Sequence, residues 1–245
     1  MANHTTIPVG TRGIAVFSNT GGHVVLDVAG YFTGAPQPSV LPVPVNPTGR
    51  TACRSVVHFG DSTSRGLIEA SLLPNPADRI DAQYARVGAQ DIRLEIKGAR
   101  SIVETLPGDL NAYQVAQNVR AAGFRGCWVL YLGTTDTANV AVAPGRVDRL
   151  ARIDRMMSVV GSDPVMWVTA KTLVADGAWS NANMVLWNQA LAQAKATKYP
   201  GMRIFDIAPL LDPAGFWPDG IHCSSPGCKL RAQVIADALA AQFPG

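Results

Sequence analysis

From Thr51 onward the chain alternates short apolar runs with longer segments whose apolar residues recur at helical spacing. The runs predict buried strands over 54–60, 91–97, 127–133, 164–170 and 202–207. Asn75-Pro76 predicts a helix start, with an N-cap followed by proline at the first helical position. Ala112, Val115, Ala116, Val119 and Ala122 form one helical stripe, and Val147, Leu150, Ile153, Met157 and Val160 form another. A further helix covers about 181–198, and the last begins near Pro226 and carries Leu230, Val234, Ala238 and Phe243. Strands this apolar, separated by helices, predict a parallel sheet covered on both faces. The expected fold is α/β: a three-layer α/β/α sandwich around a five-stranded, flavodoxin-like sheet. The methionine and valine stripes read as core positions rather than as contacts to a cofactor. In such a sheet a site forms beyond the C-terminal ends of the strands, and Ser62, Gly98, Thr135 and Lys171 all follow such ends.

The first residues follow a different pattern. Gly13-Ile14-Ala15-Val16-Phe17-Ser18 and the run from His23 to Phe32 flank Asn19-Thr20-Gly21-Gly22, which predicts a β-hairpin over 1–34. A lone hairpin is marginal in water and needs a surface to pack on. This segment resembles the closing hairpin of a small β-domain of secreted actinobacterial proteins, which often ends in a similar Gly-Tyr-Phe-Thr. Residues 35–50 carry Pro36, Pro38, Pro42, Pro44 and Pro47, a composition suited to an extended, semi-rigid linker or to an arm lying along the main domain. The third expected unit, 51–245, is the α/β domain.

At 245 residues the chain has ample core for one sizeable domain plus an appendage. Hydrophobic residues make up 47% and charged residues 16%, which suits a globular protein rather than a disordered one. The formal charge of +3 comes without a basic cluster interleaved with aromatics, which disfavours nucleic acid as a partner. No apolar stretch approaches the ~20 residues of a membrane span. A monomer is expected.

Cys53 precedes the first strand and Cys127 opens the third, so neighbouring strands would bring both thiols to the N-terminal edge of the sheet, where they could pair. Cys223 and Cys228 are close enough to staple the loop after His222 to the following helix. Four buried free thiols are the alternative, while the spacing fits no common zinc site. Two disulfides imply a secreted or cell-envelope protein. Met1-Ala2-Asn3-His4-Thr5-Thr6 shows no signal peptide, so the export reading expects a fragment or a signal lying outside this sequence.

The chemistry-bearing residues lie at two places. The apolar run Val56-Val57-His58-Phe59 breaks into Gly60-Asp61-Ser62-Thr63-Ser64-Arg65-Gly66, a strand ending in a tight turn that lifts a hydroxyl clear of the sheet. Asp219-Gly220-Ile221-His222 precedes the last helix and supplies an imidazole with a carboxylate three residues before it. A serine nucleophile, a base and an acid that orients the base are thereby all available. The turn after the first strand lacks both the P-loop Gly-Lys-Ser/Thr and the dinucleotide fingerprint, which disfavours nucleotide or flavin binding.

The set, in this order, resembles the SGNH (GDSL-type) hydrolases over roughly 51–245. Phe59-Gly60-Asp61-Ser62-Thr63 is similar to the first block of that family and Lys97-Gly98-Ala99-Arg100 to the second. Gly133-Thr134-Thr135-Asp136 stands at the third, and Asp219-Gly220-Ile221-His222 with Ser224 and Gly227 at the last. The resemblance implies a two-step ester hydrolysis with no metal or cofactor. His222 Nε2 takes the proton of Ser62, Asp219 holds Nδ1, and water then attacks the acyl-enzyme. The oxyanion hole is formed by the N–H groups of Ser62 and Gly98, helped by Thr135. Asp61 is expected to stabilise the turn rather than to join the triad.

The third block departs from the family, because Thr135 stands where the family has an asparagine whose amide donates to the oxyanion. Losing one such donor costs about 10²–10³ in turnover, so a slow enzyme is expected unless Thr135, Asn139 or a water supplies the bond. Arg100 is placed at the cleft rim. Lys171, Trp179 and Trp187 are candidates to line the substrate pocket, with core packing the alternative for the two tryptophans and solvent for Lys171. His4, His23 and His58 read as structural or solvated. The leading function is a serine carboxylic-ester hydrolase for short-chain or acetyl esters, with a small ester or an acylated polysaccharide as substrate. Its competitor is a catalytically weak or dead glycan- or wall-binding module. The loops expected to set acyl-chain preference are 99–110, 134–146 and 171–181.

Overall fold

The computed structural model describes residues 49–143 and 145–245. The expected hairpin over 1–34 and nearly all of the Pro-rich 35–50 segment lie outside the described residues.

Five parallel strands form one sheet: β1 (Ser55–Gly60), β2 (Asp91–Ile96), β3 (Cys127–Tyr131), β4 (Val165–Val168) and β5 (Arg203–Phe205), in the order β2-β1-β3-β4-β5. This is the flavodoxin-like arrangement expected, and every expected strand is present within a few residues. β3 stops at Tyr131 rather than 133 because the chain turns at Gly133, whose φ of 130° a side chain would strain. β3 and β4 are buried along their whole length, as is β1 beyond its first residue, while the edge strand β2 keeps partly exposed positions. That difference follows from coverage on both faces at the centre and on one edge only at the rim.

Alternation along the strands feeds two separate cores. Val56, Val129, Tyr131, Met166 and Val168 point to one face, where they pack against α2 (Ile80–Arg86) and α7 (Ser225–Gln242) through Tyr84, Ala232, Ile235 and Leu239. Val57, Phe59, Trp128, Leu130 and Trp167 point to the other, against α3 (Ala112–Ala121), α5 (Arg149–Val160) and α6 (Asn181–Thr197). Each such fully buried side chain contributes about 1.5–3 kcal/mol of transfer free energy. Trp128 stacks on Phe59 with ring centroids 5.7 Å apart, and Trp187 meets Trp167 at 6.0 Å. Trp187 is therefore core, not pocket.

Helix starts follow their caps. Asn111 and Gln114 form a reciprocal capping box on α3, and Asp148 accepts from the Ala151 N–H on α5. Asn75 does cap a helical turn, but it is a short 3-10 turn, Pro76–Asp78, and α2 begins only at Ile80. Two further helices were not expected from the pattern: α1 (Ser62–Arg65) and α4 (Thr134–Val142), the latter in a segment expected to be loop. Thr, Asn and Val are indifferent helix formers. The helix forms where Thr134 to Ala138 are all buried, so packing overrides propensity. No helix among the described residues is long and apolar enough to cross a membrane.

Both expected cysteine pairs are disulfides. Cys53–Cys127 joins the N-terminal ends of β1 and β3 with Cα atoms 5.6 Å apart, and Cys223–Cys228 ties the loop after His222 to α7 at 5.1 Å.

Candidate active site

The strand order puts the ends of β2, β1 and β3 side by side, so the segments that carry Gly98, Ser62 and Thr135 are neighbours at one edge of the sheet. At the centre, β1 ends in Gly60, where any added Cβ would run into the Ser64 side chain. Asp61 then caps α1: its Oδ1 accepts from Thr63 N at 2.9 Å and from Thr63 Oγ1 at 2.7 Å. Its Oδ2 accepts from Thr135 N at 3.3 Å, which joins the first block to the third. Burial pushes the Asp61 carboxyl above its usual range, against the pull of these hydrogen bonds and of His222. Asp61 thus fixes the turn. Ser62 is the first residue of α1, and its N–H finds no acceptor among the described residues.

The imidazole comes from the loop between Phe216 and Cys223, which pair as an antiparallel bridge. Trp217 N donates to His222 O at 2.8 Å and Gly220 N to Trp217 O at 2.9 Å, with Gly220 at φ 68°. The Asp-x-x-His spacing gives one carboxylate two tasks. Oδ1 of Asp219 accepts from Ile221 N at 2.8 Å and His222 N at 3.0 Å, while Oδ2 meets His222 Nδ1 at 2.7 Å. Although its partial burial works the other way, the His222 hydrogen bond and the two amides hold the Asp219 carboxyl below its usual range. An ionised Asp219 fixes the proton of His222 on Nδ1 and leaves Nε2 as an acceptor. The loop is anchored from behind, where the Arg231 guanidinium of α7 lies 4.6 Å over the Phe216 ring.

A cleft of about 290 Å³ brings the two halves together: Ser62, Gly98, Asp219 and His222 all line it. No hydrogen bond joins Ser62 to His222 in this structure, and such contacts tighten when substrate is bound. Gly98 follows β2, and its N–H also has no acceptor among the described residues. A Cβ at Gly98 would have only an Arg65 guanidinium nitrogen near it, at 4.0 Å, so the space over this amide is open. Ala99, next in the chain, sits at φ 55°, an unusual conformation for a residue with a side chain.

Thr135 lies apart from the cleft lining. It is buried, and its Oγ1 has no partner among the described residues. Behind it, Arg152 gathers two carboxylates, reaching Asp136 Oδ1 at 2.9 Å and Glu104 Oε1 at 2.5 Å. Asp136 Oδ1 also accepts from Ile102 N at 2.9 Å, so this cluster fastens the loop after Gly98 to α4. Burial pushes the Asp136 carboxyl up to about 7, against the guanidinium. Asn139 donates to Glu104 Oε2 at 3.0 Å, which commits its amide to this cluster.

The other expected pocket residues are placed elsewhere. Arg100 donates to the Glu95 carbonyl at 2.9 Å and lies near the Glu95 carboxylate. Lys171 is spent on the carbonyls of Ala208 and Leu211, at 2.8 and 2.7 Å. The Trp179 carbonyl accepts from Thr172 Oγ1 at 2.8 Å. None of the three lines the cleft at Ser62. Its walls are instead Arg65, Gly66, Glu69, Leu72, Trp217 and Cys223. Most of these lie close in sequence to the two motifs: Arg65, Gly66 and Glu69 follow Ser62 by three, four and seven positions, Trp217 precedes Asp219 by two, and Cys223 directly follows His222.

No protein-family profile and no curated protein sequence matches the chain. Solved structures do. The carbohydrate acetylesterase Est24 from Sinorhizobium meliloti is 21% identical, with a TM-score of 0.60 over 78% of this chain and 100% of that one. The inhibitor-bound aryl esterase of M. smegmatis is 16% identical, with a TM-score of 0.59 over 76% and 98%. A member of the lipolytic G-D-S-L family from Veillonella parvula is 15% identical, with a TM-score of 0.55 over 74% and 94%. The protein is thus built on the SGNH (GDSL-type) hydrolase fold.

Proposed function

We propose that the protein is a secreted or cell-envelope serine carboxylic-ester hydrolase acting on short-chain or acetyl esters. The observation that carries this reading is the shared cleft of Ser62, Gly98, Asp219 and His222, with the Asp219–His222 bond already formed at 2.7 Å. In the reaction, Ser62 Oγ attacks the ester carbonyl as its proton passes to His222 Nε2, and the ionised Asp219 stabilises the imidazolium. The carbonyl oxygen becomes an oxyanion held by the N–H groups of Ser62 and Gly98. The alcohol leaves with the proton from His222, and water repeats the sequence on the acyl-enzyme to release the acid. The acetylesterase and the aryl esterase that share this fold support the reading, as do the disulfides for export.

A second reading, a glycan- or wall-binding module with little turnover, draws on Thr135, whose hydroxyl is buried without a partner among the described residues and is not part of the cleft lining. Fluorophosphonate labelling and a series of nitrophenyl esters separate the two. The hydrolase reading expects labelling and turnover that both vanish in Ser62→Ala. Turnover surviving that substitution removes Ser62 from the role, and absence of labelling in the wild type favours the binding module.

A further inference from the structure

Trp217 lines the cleft beside Ser62 and His222 and is 49% exposed, so its indole is open to a ligand bound there. It belongs to the same loop as Asp219 and His222, and the hydrogen bonds from its N–H to His222 O and to its carbonyl from Gly220 N hold its backbone in place. The cleft also carries Arg65 and Glu69, paired at 2.5 Å and both partly exposed. The cleft thus combines an exposed indole with an ion pair rich in donors and acceptors.

Those walls select a shape and a chemistry. An alkyl alcohol would leave the donors and acceptors of the Arg65–Glu69 pair unused. A ring with one C–H face and equatorial hydroxyls uses both kinds of wall: the face covers the indole, and the hydroxyls bond the carboxylate and guanidinium. The volume, about 290 Å³, lies at the small end of ligand pockets, enough for an acetyl group and one ring.

Resting on the esterase reading, we propose that Trp217 is the platform for the alcohol part of the substrate, a pyranose ring carrying the acetyl ester, with Glu69 and Arg65 bonding its free hydroxyls. Trp217 and Glu69 would then set specificity without taking part in bond making.

The test compares substrates that share one acyl group: a mono-O-acetyl methyl xylopyranoside, phenyl acetate and ethyl acetate. In Trp217→Ala the ratio of kcat/KM for the pyranoside to that for ethyl acetate is expected to fall about tenfold, mainly through KM, with Trp217→Phe restoring most of it. In Glu69→Gln the pyranoside is expected to lose several-fold relative to phenyl acetate. Equal losses on all three esters, or an unchanged ratio, overturn the proposal. A second arm needs no turnover: methyl xylopyranoside is titrated into Ser62→Ala while the heat of binding is followed by calorimetry. A saturable change that disappears in Ser62→Ala/Trp217→Ala supports the platform even if the esterase reading fails. No saturable change, or one that survives the double substitution, overturns it even if the esterase reading holds.

Discussion

Two aspartates flank the proposed reaction, and each collects hydrogen bonds from its neighbours, yet they sit in opposite environments. Asp61 is completely buried and ties the turn to α4: Thr63 and Thr135 donate to it, and burial raises its carboxyl. Asp219 has a side chain 40% exposed, caps its own loop, and is lowered by His222 and two amides although partial burial opposes them. The serine is thus presented by a rigid, dry corner, and the imidazole by a solvated loop pinned to the body by a disulfide. What differs is the free energy each carboxylate controls, conformational at Asp61 and, in the proposed reaction, catalytic at Asp219.

Substitutions sharpen that contrast. The largest effect on rate is expected from Asp219→Asn, which removes the charge that supports the imidazolium; kcat should fall by about 10³–10⁴, by analogy with serine proteases, with little change in Tm. Asp61→Ala should behave oppositely, leaving buried donors of Thr63 and Thr135 unpaired, and lower stability by about 2–4 kcal/mol in denaturant titrations. If Asp61→Ala leaves Tm intact while Asp219→Asn lowers it sharply, the contrast is reversed.

The disulfides extend the same comparison. Cys53–Cys127 closes a long loop (separation 74) far from the cleft, and Cys223–Cys228 a short one (separation 5) against it. A Cβ placed at Gly66 would lie 2.5 Å from Cys228 Sγ and 2.8 Å from Cys223 Sγ, so the second bridge packs directly on the end of the Ser62 helix. Chain entropy alone gives about 4 kcal/mol for the first and about 2 for the second. Replacing both cysteines of the first pair by alanine should cost more Tm. Replacing the second pair should cost less Tm but reduce kcat about tenfold or more, because the His222 loop loses its fixed distance from Ser62. Melting curves and rates on one ester measure both.

The smallest effect is in pH. Because the folded-state pKa of Asp219 is lowered, its stabilisation is present above the ordinary carboxylate pKa and is lost as the pH falls through the folded value. The raised Asp61 works the other way: its contribution falls as the pH rises from the ordinary carboxylate pKa through the folded one. Between pH 3 and 7 the Tm advantage of wild type over Asp219→Asn should therefore grow, and that over Asp61→Asn should shrink. Parallel curves for the two variants contradict these opposite titrations.

Much of the architecture was legible because it is local. Alternation, caps and apolar runs mark the strands and most helices, and the spacing of Asp219 and His222 reflects a turn that closes on itself. The cysteine pairing could be read from strand ends once the strands were parallel neighbours. Other features were not legible. α4 resembles a polar loop in composition, and only the packing of Thr134 to Ala138 makes it helical. Lys171 and Arg100 look like cleft cations in a one-dimensional view, yet Lys171 is drawn to the carbonyls of Ala208 and Leu211, remote in sequence, and Arg100 to the Glu95 carbonyl and carboxylate.

The sequence by itself determined the strands and most of the helices, the turn after Gly60, and the Asp219–His222 pairing, because each depends on residues within a few positions of one another. Tertiary structure decided which residues wall the cleft, that Thr135 faces inward, and that one disulfide lies against the Ser62 helix. Those outcomes depend on contacts between segments far apart in the chain, where the burial of one side chain is set by another that no local pattern contains.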